Sequence, residues 1–312
     1  MRNETRAEAE TIQSDGEKCA FCGLYAPLRE SHVLPAFVFR WLKGGSGTGH
    51  IRNTESPNRR VQDGLKLPWL CSACEQQFSR YETAFATKVF HGWGEGHDKI
   101  HYGEWLLKFC VSVSWRVLHY ARGRNPDHRY TGEQEALMDQ AGKRWRAFLN
   151  DEAPHPGLFE QHLLPLGIIE STSVPNLPKN FNRFLARAVT FDIVGSDRTL
   201  MTFAKLGPFT IFGLVQGNRK EWSGSKVHVR EGSLGPAKYT IPAGVLSLLI
   251  DKAGFISSAM GRMSEQQRSK IDQHVIDNVD AFLASDQFKA IEADARMFGL
   301  PAVTSRLGTS QS

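Results

Sequence analysis

Four of the five cysteines fall into two pairs, Cys19-Ala-Phe-Cys22 and Cys71-Ser-Ala-Cys74, with 48 residues between the pairs. A CxxC turn presents two thiolates at the angle a tetrahedral metal needs, and two such turns fill all four positions of a zinc ion. Gly23 follows the first pair, where a zinc knuckle requires an open backbone. Four thiolates leave no position free, so the Zn²⁺ expected at Cys19, Cys22, Cys71 and Cys74 is structural. The fifth cysteine, Cys110, lies in the apolar run LLKFCVSVSW and reads as a small buried hydrophobe. Five cysteines behind a polar, acid-bearing N-terminus fit a reducing compartment better than a disulfide framework.

Between the pairs lies Arg29-Glu-Ser-His32-Val-Leu-Pro35. An imidazole can take a proton near neutral pH without large tuning, so His32 is a candidate general base; the alternative is a core histidine. Three carboxylates could serve an oxygen-loving metal: Asp63, Glu75 and Glu82. Asp63 precedes Gly64 and could instead be a turn residue. Glu75 opens the helix after the second pair, where the helix dipole alone would favour it. Glu82 lies seven residues on, at the border of the stripe Phe78, Tyr81, Phe85 and Val89, and a carboxylate there needs a partner. Arg52, Arg59, Arg60 and Lys66 form a basic cluster suited to phosphates, or a solvated face. Arg116, Arg122, Arg124 and Arg129 form a second.

The order CxxCG, SHVLP, then LCSAC and a helix resembles the HNH nucleases of the His-Me-finger group over residues 19–90. Asn58-Arg-Arg-Val-Gln-Asp63-Gly64 and Cys74-Glu-Gln-Gln-Phe-Ser-Arg-Tyr-Glu82 are similar to a variant bacterial group whose members are linked to defence against phage. The resemblance implies a treble-clef zinc finger with a ββα-metal layout and an endonuclease acting on double-stranded DNA. It implies His32 as the base acting on water, a catalytic Mg²⁺ or Mn²⁺ at the scissile phosphate, and protein partners in a defence system. The chain departs from that pattern at three places. Ser31 stands where the family has a metal-binding aspartate, Glu75 where histidine or asparagine is usual, and Lys66 where asparagine is usual. Asp63, Glu75 and Glu82 are then the expected metal ligands. The alternative is a catalytically silent zinc module that binds nucleic acid or protein.

The rest of the 312-residue chain must position these groups. Hydrophobic residues make up 41% and charged residues 23%, an ordinary globular balance, and the net charge of +5 permits a nucleic-acid partner without requiring one. The expected organisation is α+β. A disordered leader covers 1–16, the zinc-finger domain 17–98, a helical region 99–180, an α+β recognition or regulatory domain 181–305, and a tail 306–312. Trp105 to Tyr120, apolar nearly all round, predicts a buried helix, and Thr131-Gly-Glu-Gln starts another that ends near Leu149. Ala188–Ile193, Thr199–Lys205 and Phe209–Val215 predict an antiparallel meander, with Lys226–Arg230 a candidate fourth strand. Two closing helices are expected, over 242–257 and from Ser264 onward, the second carrying apolar Ile271, Val275, Val279, Phe282 and Leu283 at helical spacing. No catalytic constellation is expected after residue 180. Ile241–Ile250 spans only half a membrane, so a soluble cytoplasmic protein with no membrane partner is expected. His91, His97 and His101 show no metal-ligand spacing.

Overall fold

Short hairpins carry the cysteine turns. The structure is a computed structural model describing residues 16–93, 99–124, 130–235 and 238–299; the leader over 1–15, His97, Arg129 and the tail over 306–312 lie outside the described residues. Strand β1 (Glu17–Lys18) pairs with β2 (Tyr25–Ala26) around the first CxxC turn, where Gly23 takes φ +79°. Strand β3 (Leu28–His32) pairs antiparallel with β4 (Lys66–Cys71), opposing Leu28 to Cys71 and His32 to Lys66. Between them lie helix α1 (Ala36–Gly44) and a long loop. The second cysteine pair opens α2 (Ser72–Phe85), which runs into a π-helical turn, Ala86–Phe90.

After β5 (Ile100–Gly103) comes α3 (Glu104–Arg122), buried continuously from Leu106 to Leu118 as its apolar circumference requires. Helix α4 (Gly132–Leu149) begins with a full capping box on Thr131 and Gln134. The sheet order is β6-β9-β8-β7, from β6 (Gln161–Pro165), β7 (Val189–Ser196), β8 (Thr199–Leu206) and β9 (Phe209–Gln216), with α5 (Phe181–Arg187) before β7. The meander is as expected, but the fourth strand is not Lys226–Arg230. Lys226 makes one bridge to His162 at the sheet edge, and β10 (Glu231–Leu234) pairs with β5 instead. The strand β6 comes from the stretch read as helical, so the sheet joins the second and third expected regions.

Strand β8 alternates Leu200, Ala204 and Leu206 toward one core with Met201 and Phe203 toward another. The first core is continuous from Cys19 through α3 to Leu234, and the second packs α5 and α6 (Ala243–Gly261) on the opposite face. Helix α6 is long and apolar enough to cross a membrane by length and composition. It docks Val245, Leu249 and Ala253 against the sheet, and its mid-helix Lys252 pairs with Asp192 at 2.5 Å.

The end of the described chain differs from expectation. Three helices follow α6: α7 (Glu265–Asp277), α8 (Val279–Leu283) and α9 (Asp286–Phe298). The continuous helix breaks at Asn278, and Val279 and Leu283 are exposed. These helices clasp the long loop after α1. Gln287 N donates to Gly45 O at 3.1 Å, Ser264 N to Asn58 Oδ1 at 2.8 Å, and Arg262 to Thr54 O at 3.4 Å.

Candidate functional site

The two CxxC turns converge because β3 pairs with β4, opposing Leu28 to Cys71, with one register shift between Arg29 and Glu30. The four sulfurs of Cys19, Cys22, Cys71 and Cys74 lie within 4.8 Å of one another, and Cys22 Sγ is 3.8 Å from Cys71 Sγ. Four sulfurs bonded to one tetrahedral zinc sit about 3.8 Å apart. Burial works against ionising Cys19, but backbone N–H groups of Cys22, Cys71 and Phe21 outweigh it and bring the thiol down to about 7. Burial and the crowded neighbouring sulfurs push Cys74 up. A bound cation would offset that crowding. These cysteines are positioned to hold a metal ion, and among the described residues they are the one such group of three or more metal-ligating side chains.

His32 ends β3 with 14% of its side chain exposed. Its Nε2 lies 2.9 Å from Asp63 Oδ1, so the carboxylate and the ring form a dyad at the mouth of the long loop. Asp63 Oδ2 lies 2.6 Å from Lys66 Nζ, and Gly64 N donates to Oδ1 at 2.8 Å. Partial burial alone would raise the Asp63 carboxyl, but Lys66, His32 and the Gly64 amide outweigh it and hold it at about 2. Phe39 lies parallel to the imidazole at 6.1 Å. Gly64 is required there: an added Cβ would fall 2.1 Å from the Phe39 ring.

The other two carboxylates are placed differently. Glu82 Oε1 lies 2.7 Å from Arg116 Nη1, and the same nitrogen donates to the His32 carbonyl at 3.1 Å. Arg116 is buried in α3, stacks over Phe78 at 5.5 Å, and ties Glu82 to the end of the His32 strand. Glu75 lies two turns earlier on α2, about 10 Å along the axis toward the cysteines. Ser31 is fully buried with its hydroxyl on Arg29 O at 3.2 Å, so it faces away from any ligand. Of the three carboxylates expected to ligate metal, the fold brings only Asp63 into contact with the His32 ring.

The basic candidates also divide. Arg59 and Arg60 are exposed on the loop. Arg52 is half-buried and donates to Pro57 O at 3.0 Å, and Lys66 is committed to Asp63. Sequence reasoning missed Arg116 as a member of this site. Two anomalies pointed to it: a cation inside a helix apolar all round, and an acid on an apolar border, each needing the other. One further arrangement has the look of a hydrolase triad. Ser225 Oγ lies 3.1 Å from His162 Nδ1, and Glu160 Oε2 3.8 Å from His162 Nε2. Ser225 and His162 are buried to 2% and 1% exposure, and burial followed by the Lys226 charge lowers His162 to about 4. The 3.8 Å separation leaves His162 Nε2 without a hydrogen-bond partner, so the three groups do not make a triad. Comparison of the chain with protein-family models, curated proteins and solved structures finds no match.

Proposed function

We propose that the four cysteines hold a structural zinc in a treble-clef finger and that His32 is the general base of an HNH-like phosphodiesterase acting on DNA. The observation that carries this is the His32–Asp63 contact of 2.9 Å on a strand whose partner leads directly into the cysteine centre. With Nε2 bonded to the carboxylate, the ring keeps its proton on that side and offers Nδ1 to a water. Asp63 thus orients the base and stabilises the imidazolium formed when the water is deprotonated. Lys66, held by the same carboxylate, is the nearest fixed cation for the developing phosphate charge. A Mg²⁺ or Mn²⁺ would supply further charge neutralisation at the phosphate. At Asp63 it would have to share Oδ2 with the Lys66 ammonium or displace it, since Oδ1 already accepts from His32 and Gly64.

The test is nicking of supercoiled plasmid with and without Mg²⁺ or Mn²⁺. His32→Ala should remove activity by about 10²–10⁴-fold while zinc content and folding persist. Activity equal to the wild type in His32→Ala removes the proposal. One observation favours the silent binding module: Asp63 and Glu82 each already carry a cationic partner, so neither is a vacant ligand. Zinc-loaded protein that binds duplex DNA but never nicks it, with either metal, would establish that second reading.

A further inference from the structure

Helix α7 buries none of its residues, yet it is anchored to the loop that carries the basic candidates. Its N-cap Ser264 donates its backbone N–H to Asn58 Oδ1 at 2.8 Å. Gln267, with its amide turned to satisfy both ends, donates to Asn58 O at 3.2 Å and accepts from Arg52 Nη2 at 3.0 Å. The docked helix carries His274 to the neighbourhood of His50, at the end of the glycine-rich stretch Gly44–His50.

His50 shows what that neighbourhood lacks. Arg60 Nη1 lies 3.1 Å from His50 Nε2. A guanidinium can only donate, so Nε2 accepts and the hydrogen sits on Nδ1. That Nδ1 is buried and meets no acceptor. Burial, followed by the charges of Arg60, His274, Arg52 and Lys43, lowers the pKa of His50 from its ordinary value. Those four groups come from the last turn of α1, the loop and α7. The acids of the same elements are Glu55 and Asp63 in the loop and Glu265, Asp272 and Asp277 on α7; Asp63 is held by His32 and Lys66, Asp277 is bonded to Gln273, and Asp272 feels Arg268. Gathering like charges at a surface is unfavourable until an anion joins them.

We infer that α7 and the loop form one phosphate-backbone contact for a nucleic acid, with a phosphate seated among His50, Arg60 and His274. This rests on the nucleic-acid reading above and extends it to a helix far along the chain. A phosphate there accepts from Arg60 and from a proton taken up on His50 Nε2, the nitrogen that Arg60 now occupies.

The experiment is a fluorescence-anisotropy titration of a labelled, random-sequence DNA duplex with the full chain, across a salt series and between about pH 8 and about pH 6, where imidazoles titrate. His274→Ala and Arg60→Ala should each weaken binding several-fold and reduce the log–log salt slope by about 0.9, one phosphate contact. Binding by the wild type should tighten as the pH falls. His274→Lys should keep the affinity at the higher pH and lose part of that tightening. Wild-type affinity and slope in His274→Ala overturn the inference, as does a wild type that binds no duplex at low salt. If His274→Ala weakens binding while His32→Ala nicks as well as the wild type, the surface stands and the nuclease reading falls.

Discussion

Asp63 decides what His32 can do. The carboxylate accepts from the ring, from Lys66 and from the Gly64 amide, and together these outweigh burial to hold it at about 2 rather than the ordinary 3.8. Because the folded-state value is depressed, the stability it contributes is fully present above about pH 4 and is lost as the pH falls through about 2. With the carboxylate more than a third exposed, that contribution is of order 1 kcal/mol. Asp63→Asn should therefore lower stability at neutral pH by about that much and flatten the pH dependence of urea unfolding in the acid range. Superimposable curves for the two proteins would show that the dyad contributes nothing. The motifs carrying these residues were legible in the sequence, but their pairing was not. His32 and Asp63 meet across 30 residues of helix α1 and loop, whose path is set by strand pairing and by Phe39 filling the space that Gly64 leaves open.

At the scale of elements, one guanidinium joins α3, α2 and the end of β3. Arg116 is 3% exposed and its partner Glu82 18%, so removing the cation strands a carboxylate against apolar neighbours. Arg116→Met should cost about 3–5 kcal/mol in denaturant unfolding, and adding Glu82→Leu should recover much of it. A double variant no more stable than the single one contradicts this account. Helices α3 and α4 and the three-strand meander were readable because their periodicity and caps are strong. Strand β6 was not, since Gln161-His-Leu-Leu-Pro lacks both alternation and β-branched residues. The first closing helix and the Ser264 start of the second were legible, but the end of the second was misjudged because apolar spacing alone does not register a break such as Asn278, nor does it reveal that α9 docks through a buried acid. Asp294 is fully buried, receives Asn182 N at 2.7 Å and pairs with Arg183 at 2.6 Å.

Across the whole molecule, the cysteine centre and the sheet share one core. Phe21, between the first two cysteines, packs on Phe78 at 4.8 Å and on Trp115 of α3 at 5.0 Å. Loss of the proposed metal should therefore disturb more than residues 17–98. Cys74→Ser, or chelation of that metal, should increase amide hydrogen exchange through α3 as well as through the cysteine region. Full protection of α3 in metal-free protein would show that the cysteine region is an independent unit. The Ser264–Asn58 bond spans 206 residues and the Arg262–Thr54 bond 208, so the loop bearing Arg60 and Asp63 leans on chain made much later.

That separation has a consequence for biosynthesis. A ribosome adds about 5–20 residues per second, so the helix that seats the loop follows it on the order of ten seconds or more behind. Both cysteine pairs are complete long before then, and the metal centre can close on the nascent chain. The loop leading into Asp63 is expected to take its final place only after α7 has been released from the exit tunnel. A growing polypeptide would then bring its four cysteines together early and seat the loop late, which stalled-ribosome complexes holding α7 inside the exit tunnel or presenting it outside would reveal as a difference in protease cleavage between residues 45 and 63.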